Sequence, residues 1–548
     1  MNSAEIKEKK LSLNEAAFYL FFMIMFGMRM WGIYESKPLY GPLLVVGLIM
    51  WGLSILLDHH TVIEYLVICG FMGLAGIVYL NTGEKGLILY FALMLGMKHI
   101  NVKRLFSVGA IVGGAGMACL MFLSSFDIIE DISFIQFSDT LGAVFRRSMG
   151  FPHPNTLGSS FVIIAMMIMF VTGYDDRKKV WKYSGIILGV GMYLYSYTGS
   201  RTGLFTLIGY LCLNIFFAYR SRLGIVEKVI VAMVLPVIWA VTVILPFFTT
   251  ESLVESIRRF DYNLGSRYEM ASYFLASNSF SLFGIRLNDP DATHYGIDFS
   301  QLYLLFQLGV VVFVIITALW IILLWDEVRD NRIEELVVTI SLLFMGITDP
   351  ILYNIGFKNL AFAFVGVMIY RYLGNVADKM PELLNKEIRL ISFGNMNVGT
   401  LLPGIKHTSG GVSSSKKKLM IEMVIVVASL ALAILWYVVT PEPEYVLADR
   451  NCGEKSYQIL PGLEGNTYSA EEIDNIKHNG NIVLDYTDEH EQMYVYYADE
   501  KQPVAGGYYA PNAAKVEKLR KGLSIFFWGV TFFTLCITAK IKVTKLCI

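Results

Sequence analysis

What most limits the fold of this chain is a succession of apolar runs, each of membrane length and each closed off by a short charged cluster. A bilayer core takes about 20 apolar residues as helix, and backbone inside lipid has to satisfy its own hydrogen bonds. Runs at 13–33, 39–57, 61–80, 86–97, 105–125, 157–173, 183–199, 203–219, 229–248, 300–325, 336–348, 360–373, 419–440 and 522–539 therefore predict an all-α polytopic integral membrane protein with about fourteen transmembrane helices. Composition agrees. Charged residues make up 17% of the chain, where a soluble protein carries about a quarter. A net charge of -1 gives no reason to expect a nucleic-acid partner. Six cysteines, four of them in apolar runs, have no disulfide or zinc spacing. The first run is too long for a signal peptide and lacks a small-residue cleavage site, so it is expected to remain as a span.

Orientation follows from the basic residues of the short loops. Clusters at Lys7 to Lys10, Lys98 to Arg104, Arg177 to Lys182, Arg220 and Arg222, Arg329 and Arg332, Lys416 to Lys418, and Lys540 to Lys545 all fall on one parity of the span count. Both termini are then cytoplasmic, and the protein is placed in the cell membrane. Arg146, Arg147, Arg201, Arg258, Arg259, Arg267 and Arg286 fall on the outer side, against the bias. An anionic ligand is one reason for them to be there, because guanidinium makes a bidentate fork to phosphate. Pairing with local carboxylates is the other, and Glu255 with Arg259 has helical i,i+4 spacing.

Four of these arginines lie in one polar stretch, 249–299, between two apolar runs. Leu253, Val254, Ile257 and Phe260 share one helical face, Gly265 breaks the piece, and 268–276 predicts a second short helix. The stretch is expected to be an outer lid lying on the membrane, with hinges at Gly265 and 288–291. After residue 374 the composition changes. Residues 1–374 form the membrane body and 375–418 a cytoplasmic linker ending in a Gly/Ser/Lys run. A hairpin of spans in 419–548 carries a small outer α/β or β-rich segment, 441–519.

Three constellations can carry chemistry. In RRSMGFPHPNTLG, prolines flank His153, and Asn155 with Thr156 can cap the following span. In SYTGSRTGLF, Ser200 and Arg201 sit between two glycines at the outer end of a helical hairpin, where backbone N–H groups and a guanidinium can meet one oxyanion. In THYGIDFSQLYLLFQLG, His294 and Asp298 stand just before the tenth run, and either could take a proton from a hydroxyl. Asp298 also has the spacing to Gln301 of a helix N-cap. Asp289 and Asp291 have the spacing of a metal pair but no evident partner, so no metal or other cofactor is expected.

The order of these motifs resembles that of the O-antigen polymerase and O-antigen ligase superfamily, in its Wzy-type branch. The matching residues are Arg147, His153-Pro154-Asn155, Thr198 with Ser200-Arg201, Arg267 in LGSRYE, and the stretch from Asp298 to Gly309. The resemblance implies a GT-C-type, metal-independent, inverting glycosyltransferase at the outer membrane face. It implies polyprenyl-diphosphate-linked oligosaccharides as donor and acceptor, with membrane lipid and a flippase or chain-length regulator as partners. Arg147, Arg201 and Arg267 would bind the diphosphate. His153, Asn155, Ser200, Arg258, Arg259 and Arg286 would position substrate, and Asp298 or His294 would act as base. Ligases of the superfamily carry histidine at the position of Asp298, so the aspartate favours a polymerase. A ligase, or a transporter of lipid-linked sugars without catalysis, are the competing expectations.

Overall fold

The computed structural model describes residues 12–35, 37–126, 128–129, 133–138, 142–173, 176–220, 222–248, 267–287, 296–377 and 381–388, together with three short strands beyond them. The chain divides into two compact units, Met1–Gly116 with Asn155–Ile405, and Met117–Pro154 with Lys406–Ile548. The piece 117–154, counted from sequence as part of the membrane body, thus groups with the C-terminal residues.

The first unit is helical. Its elements are α1 (Leu13–Met30), α2 (Tyr40–Leu57), α3 (Val62–Thr82), α4 (Gly86–Leu95), the start of α5 (Val102–Ser125), α6 (Pro154–Thr172), α7 (Arg177–Thr198), α8 (Arg201–Ala218) and α9 (Ile225–Trp239). They continue with α10 (Arg267–Ser277), α11 (Ser300–Phe306), α12 (Val310–Arg329), α13 (Ile333–Met345), α14 (Ala361–Ala377) and α15 (Glu382–Asn385). Seven helices among the described residues are long and apolar enough to cross a membrane. The spans expected at 419–440 and 522–539 lie outside the described residues.

Two departures from the expected spans matter for the site. The run 300–325 is not one helix. It breaks between α11 and α12 at Gly309, whose φ of +97° is open only to glycine and whose Cβ, if present, would lie 2.3 Å from the Gly284 nitrogen. The first N–H groups of α12 turn to the 281–282 carbonyls instead, Val310 to Ser281 at 3.0 Å and Val311 to Leu282 at 3.1 Å. The run 229–248 begins as α9, which contains Pro236, then loosens into a π-helical turn, Ala240–Ile244, and tightens into a 3-10 turn, Leu245–Phe248. Tyr268 donates to the Val241 carbonyl (2.9 Å) and Ser272 to that of Pro246 (3.2 Å), so α10 docks on the irregular stretch.

The core between α1, α4 and α14 is aromatic. Phe357 meets Phe21 and Phe22, each at 6.1 Å, and stacks on Tyr90 at 5.8 Å, which also stacks on Phe362 at 5.0 Å. Up-and-down succession gives the helical body two ends. At one, Lys103 pairs with Glu334 at 3.2 Å, Arg177 donates to the Ala218 carbonyl at 3.1 Å, and Asn331 accepts from the Leu223 N–H at 3.1 Å. Asp326, fully buried at this end, is gripped by Arg329, Arg332 and Arg371. Among the described residues, the basic clusters around Lys103, Arg177, and Arg329 with Arg332 therefore share an end. There too β1 (His60–Thr61) pairs antiparallel with Glu387–Ile388, tying down the chain after α14.

In the second unit β2 (Ser133–Ser138) and β3 (Gly142–Arg147) form an antiparallel hairpin with Ser133 opposite Arg147. Of the expected outer segment 441–519, three strands are described: Val446–Leu447, Tyr494–Tyr497 and Gly507–Ala510, the last in the middle of a mixed sheet.

Candidate functional site

The opposite end of the first unit gathers several candidate residues. Gly199, at φ +56°, ends α7 in a left-handed cap, and Ser200 starts α8 as its N-cap, its Oγ accepting from the Gly203 N–H at 3.4 Å. The hydroxyl of Ser200 is thereby used in capping. Close packing holds this corner still. A Cβ on Gly158 would fall 2.7 Å from Ser200 Oγ, and one on Gly203 3.2 Å from the Gly158 Cα. Arg201 is the first residue of α8 and is exposed. The positive end of the helix dipole reinforces its charge.

Arg267 opens α10. Its Nε donates to the Thr348 carbonyl at 3.0 Å and faces Asp298 Oδ2 at 3.2 Å. Thr202, next to Arg201, shares a hydroxyl–hydroxyl hydrogen bond of 2.8 Å with the same Thr348. One threonine thus joins the start of α8 to the start of α10. Asp298 is not the N-cap of α11. That position belongs to Phe299, which gives no side-chain bond, and the carboxyl is turned to Arg267 instead. Burial pushes the Asp298 pKa up, while the Arg267 charge pulls it down.

Beneath them lie residues that the sequence did not single out. Asp349 follows Thr348, and its carbonyl accepts from Ser300 Oγ at 2.6 Å. Burial lifts its carboxyl to about 6, with Lys358 opposing, Asp298 adding and Arg267 opposing. Lys358 is 4% exposed and donates to the Thr156 carbonyl at 3.0 Å and to Ser159 Oγ at 2.8 Å. Burial pushes its pKa down to about 8, against the pull of Asp349. The signal that could have found these residues is a charge inside an apolar run, TDP at 348–350 and a lone lysine in GFKNLAF.

Asn155 does not cap α6. The helix begins at Pro154, which needs no N–H there, so Asn155 sits within the first turn and the Thr156 carbonyl serves Lys358. Arg286 is exposed in the stretch after α10. Arg258, Arg259 and His294 lie outside the described residues, as do most of the lid and its hinge positions Gly265 and 288–291. In the second unit, Arg147 is buried at the end of β3 and His153 is partly buried. Burial, with the charge of Arg146, lowers His153 to about 4, so its imidazole is neutral at ordinary pH. Met149 (φ +48°) and Gly150 (φ +85°) make the turn between them.

The first unit thus brings Arg201, Arg267 and Asp298 to one end around Thr348, with a buried acid and a buried amine behind them. Such a set can bind an oxyanion and hold a carboxylate ready to accept a proton. Comparison of the chain with family models, with characterised proteins and with solved structures returned no match.

Proposed function

We propose that this protein is a GT-C-type polysaccharide polymerase, joining polyprenyl-diphosphate-linked oligosaccharide repeat units at the outer face of the cytoplasmic membrane by inverting glycosyl transfer without a metal. The observation that carries the proposal is the meeting of the α8 start with Arg267 and Asp298 through Thr348. In the reaction, the acceptor hydroxyl oxygen forms a bond to the anomeric carbon as that carbon's bond to the donor diphosphate breaks. The diphosphate leaves with the electron pair, and the hydroxyl proton passes to a base. Arg201 and Arg267 carry the charge arriving on the diphosphate, with Arg147 as the third arginine of the motif order. Asp298, or His294 before it, takes the proton.

The Arg267–Asp298 contact adds a sequence of events. A diphosphate is a better partner for the Arg267 fork than one carboxylate. When it binds and draws off Arg267, Asp298 loses the charge that lowers its pKa and becomes the stronger base. The base is then readied by the donor. The segment 441–519 is assigned to chain-length control or partner docking.

The test is reconstitution with a defined lipid-linked repeat, read on a gel. The proposal expects a ladder, abolished in Arg201→Ala with lipid-linked monomer accumulating. A single product of fixed size on a different acceptor would identify a ligase instead. Movement of the lipid-linked unit across the bilayer with no new glycosidic bond would identify a transporter.

A further inference from the structure

Arg29 is the one arginine among the described residues that is completely buried, at 0% exposure. It stands in the last turn of α1, and its guanidinium lies between two rings, 5.3 Å from the centre of Tyr34 and 4.9 Å from that of Tyr40. Nη2 donates to the Tyr40 hydroxyl at a long 3.4 Å. Nε and Nη1 have no hydrogen-bond partner. Ring faces attract the charge but do not accept those N–H groups, and a guanidinium buried without an anionic partner is costly.

The surroundings have the character of an anion site. Tyr40 is the first residue of α2, an 18-residue helix whose N-cap, Leu39, gives no side-chain cap; the Tyr40 N–H donates to the Lys37 carbonyl at 3.1 Å and Pro42 carries no N–H, so what this end offers an anion is mainly the positive pole of the helix. Lys85 lies 5.6 Å from the Tyr40 ring centre, and Lys37 is exposed on the connection above. One carboxylate stands in opposition, Glu35, bonded to Lys85 at 2.7 Å, and Glu84 beside it is occupied by Gln307 at 2.6 Å. Below the site the α2 surface is apolar and exposed, with Val45 56% and Ile49 52% open. A headgroup anion above and acyl chains below fit one kind of ligand.

We infer that Arg29, the positive end of α2 and Lys37 form a binding site for the phosphate headgroup of a membrane lipid. The Tyr34 ring is its cover, its phenol donating to the Arg29 carbonyl at 3.2 Å. When a phosphate enters, Tyr34 swings aside and the free N–H groups of Arg29 close on the phosphate oxygens. Neither Arg201 nor Arg267 is used in this site, and the inference does not rest on glycosyl transfer.

The test uses the full chain, purified and delipidated in neutral detergent, with lipid binding counted by native mass spectrometry. The ligands are phosphatidylglycerol, polyprenyl diphosphate and, as the control, phosphatidylcholine. The wild type should hold one copy of an anionic lipid with an affinity on the order of 10- to 100-fold above Arg29→Met, the usual worth of charge-assisted hydrogen bonds. Lys103→Gln, at the opposite end, should bind as the wild type does. Preference for phosphatidylglycerol identifies an ordinary phospholipid as the occupant, and preference for the diphosphate identifies a lipid-linked substrate. Equal binding of the control lipid by the wild type overturns the inference, and that result needs no variant to fold. Unchanged binding in Arg29→Met overturns it as well.

Discussion

Replacing Gly309 with alanine should cost more stability than any exposed substitution in the same helix, and the size of the loss can be worked out in advance. The residue has φ +97° and ψ 162°, a conformation essentially reserved to glycine, and forcing a side chain into it costs about 1–3 kcal/mol. The added Cβ would lie 2.3 Å from the Gly284 nitrogen, 2.6 Å from the Leu282 oxygen and 2.8 Å from the Phe283 carbonyl carbon. All three are backbone atoms, so no rotamer change relieves the clash, and overpacking adds about 1–3 kcal/mol. The same backbone accepts the first N–H groups of α12, and moving it loosens both bonds. The expected total is about 2–6 kcal/mol. Gly70→Ala in α3 is the matched control. Nothing lies within 4 Å of its would-be Cβ, and alanine in a helix should gain up to about 1 kcal/mol. Unfolding midpoints in mixed micelles measure both. If Gly309→Ala is as stable as Gly70→Ala, the break at 309 is not built as described.

Two further outcomes are expected. Arg267→Lys keeps the charge but loses the planar fork, so chain-joining should fall by roughly 100-fold, as for loss of one transition-state donor, while the unfolding midpoint moves little; retained activity would refute the phosphate role. Asp349 and Lys358 should shape stability against pH. Asp349, raised from 3.8 to about 6, keeps its proton in the folded chain, so its contribution is present below pH 4 and lost as pH rises through 6. Lys358, lowered from 10.5 to about 8, releases its proton early on folding, so its contribution is present above 10.5 and lost as pH falls through 8. Stability should therefore dip between pH 6 and 8 relative to an Asp349→Asn, Lys358→Met double variant. Parallel pH curves for the two proteins would contradict this.

Helix starts and stops were legible where a local chemical reason sets them. Gly199 and Ser200 punctuate the α7–α8 hairpin as their residue types suggest, and the short helix expected at 268–276 is present as Arg267–Ser277. Hydropathy failed where the reason is not local. The 300–325 run stays apolar across Gly309, and only the 281–284 backbone, distant in sequence, explains the break. Asp298 carried a good capping pattern, but a long-range charge, Arg267, competes for its carboxyl and wins. Asp349 and Lys358 escaped notice because each is a single charge with no neighbouring motif, and their relation exists only once α13 and α14 are packed.

The π turn at Ala240–Ile244 makes part of the site sensitive to chain length rather than to residue type. An extra residue in a helical turn advances everything beyond it by about 100° around the axis. That phase places the Val241 and Pro246 carbonyls where Tyr268 and Ser272 reach them, and so aims the helix that begins with Arg267. Every residue of the turn except Thr242 is aliphatic, so a swap of one for another leaves the phase intact. Removing one would keep the span equally greasy and equally able to insert, yet turn the docking carbonyls to another face. In this segment the count of residues, rather than their chemistry, sets the direction of a guanidinium more than twenty positions further along the chain.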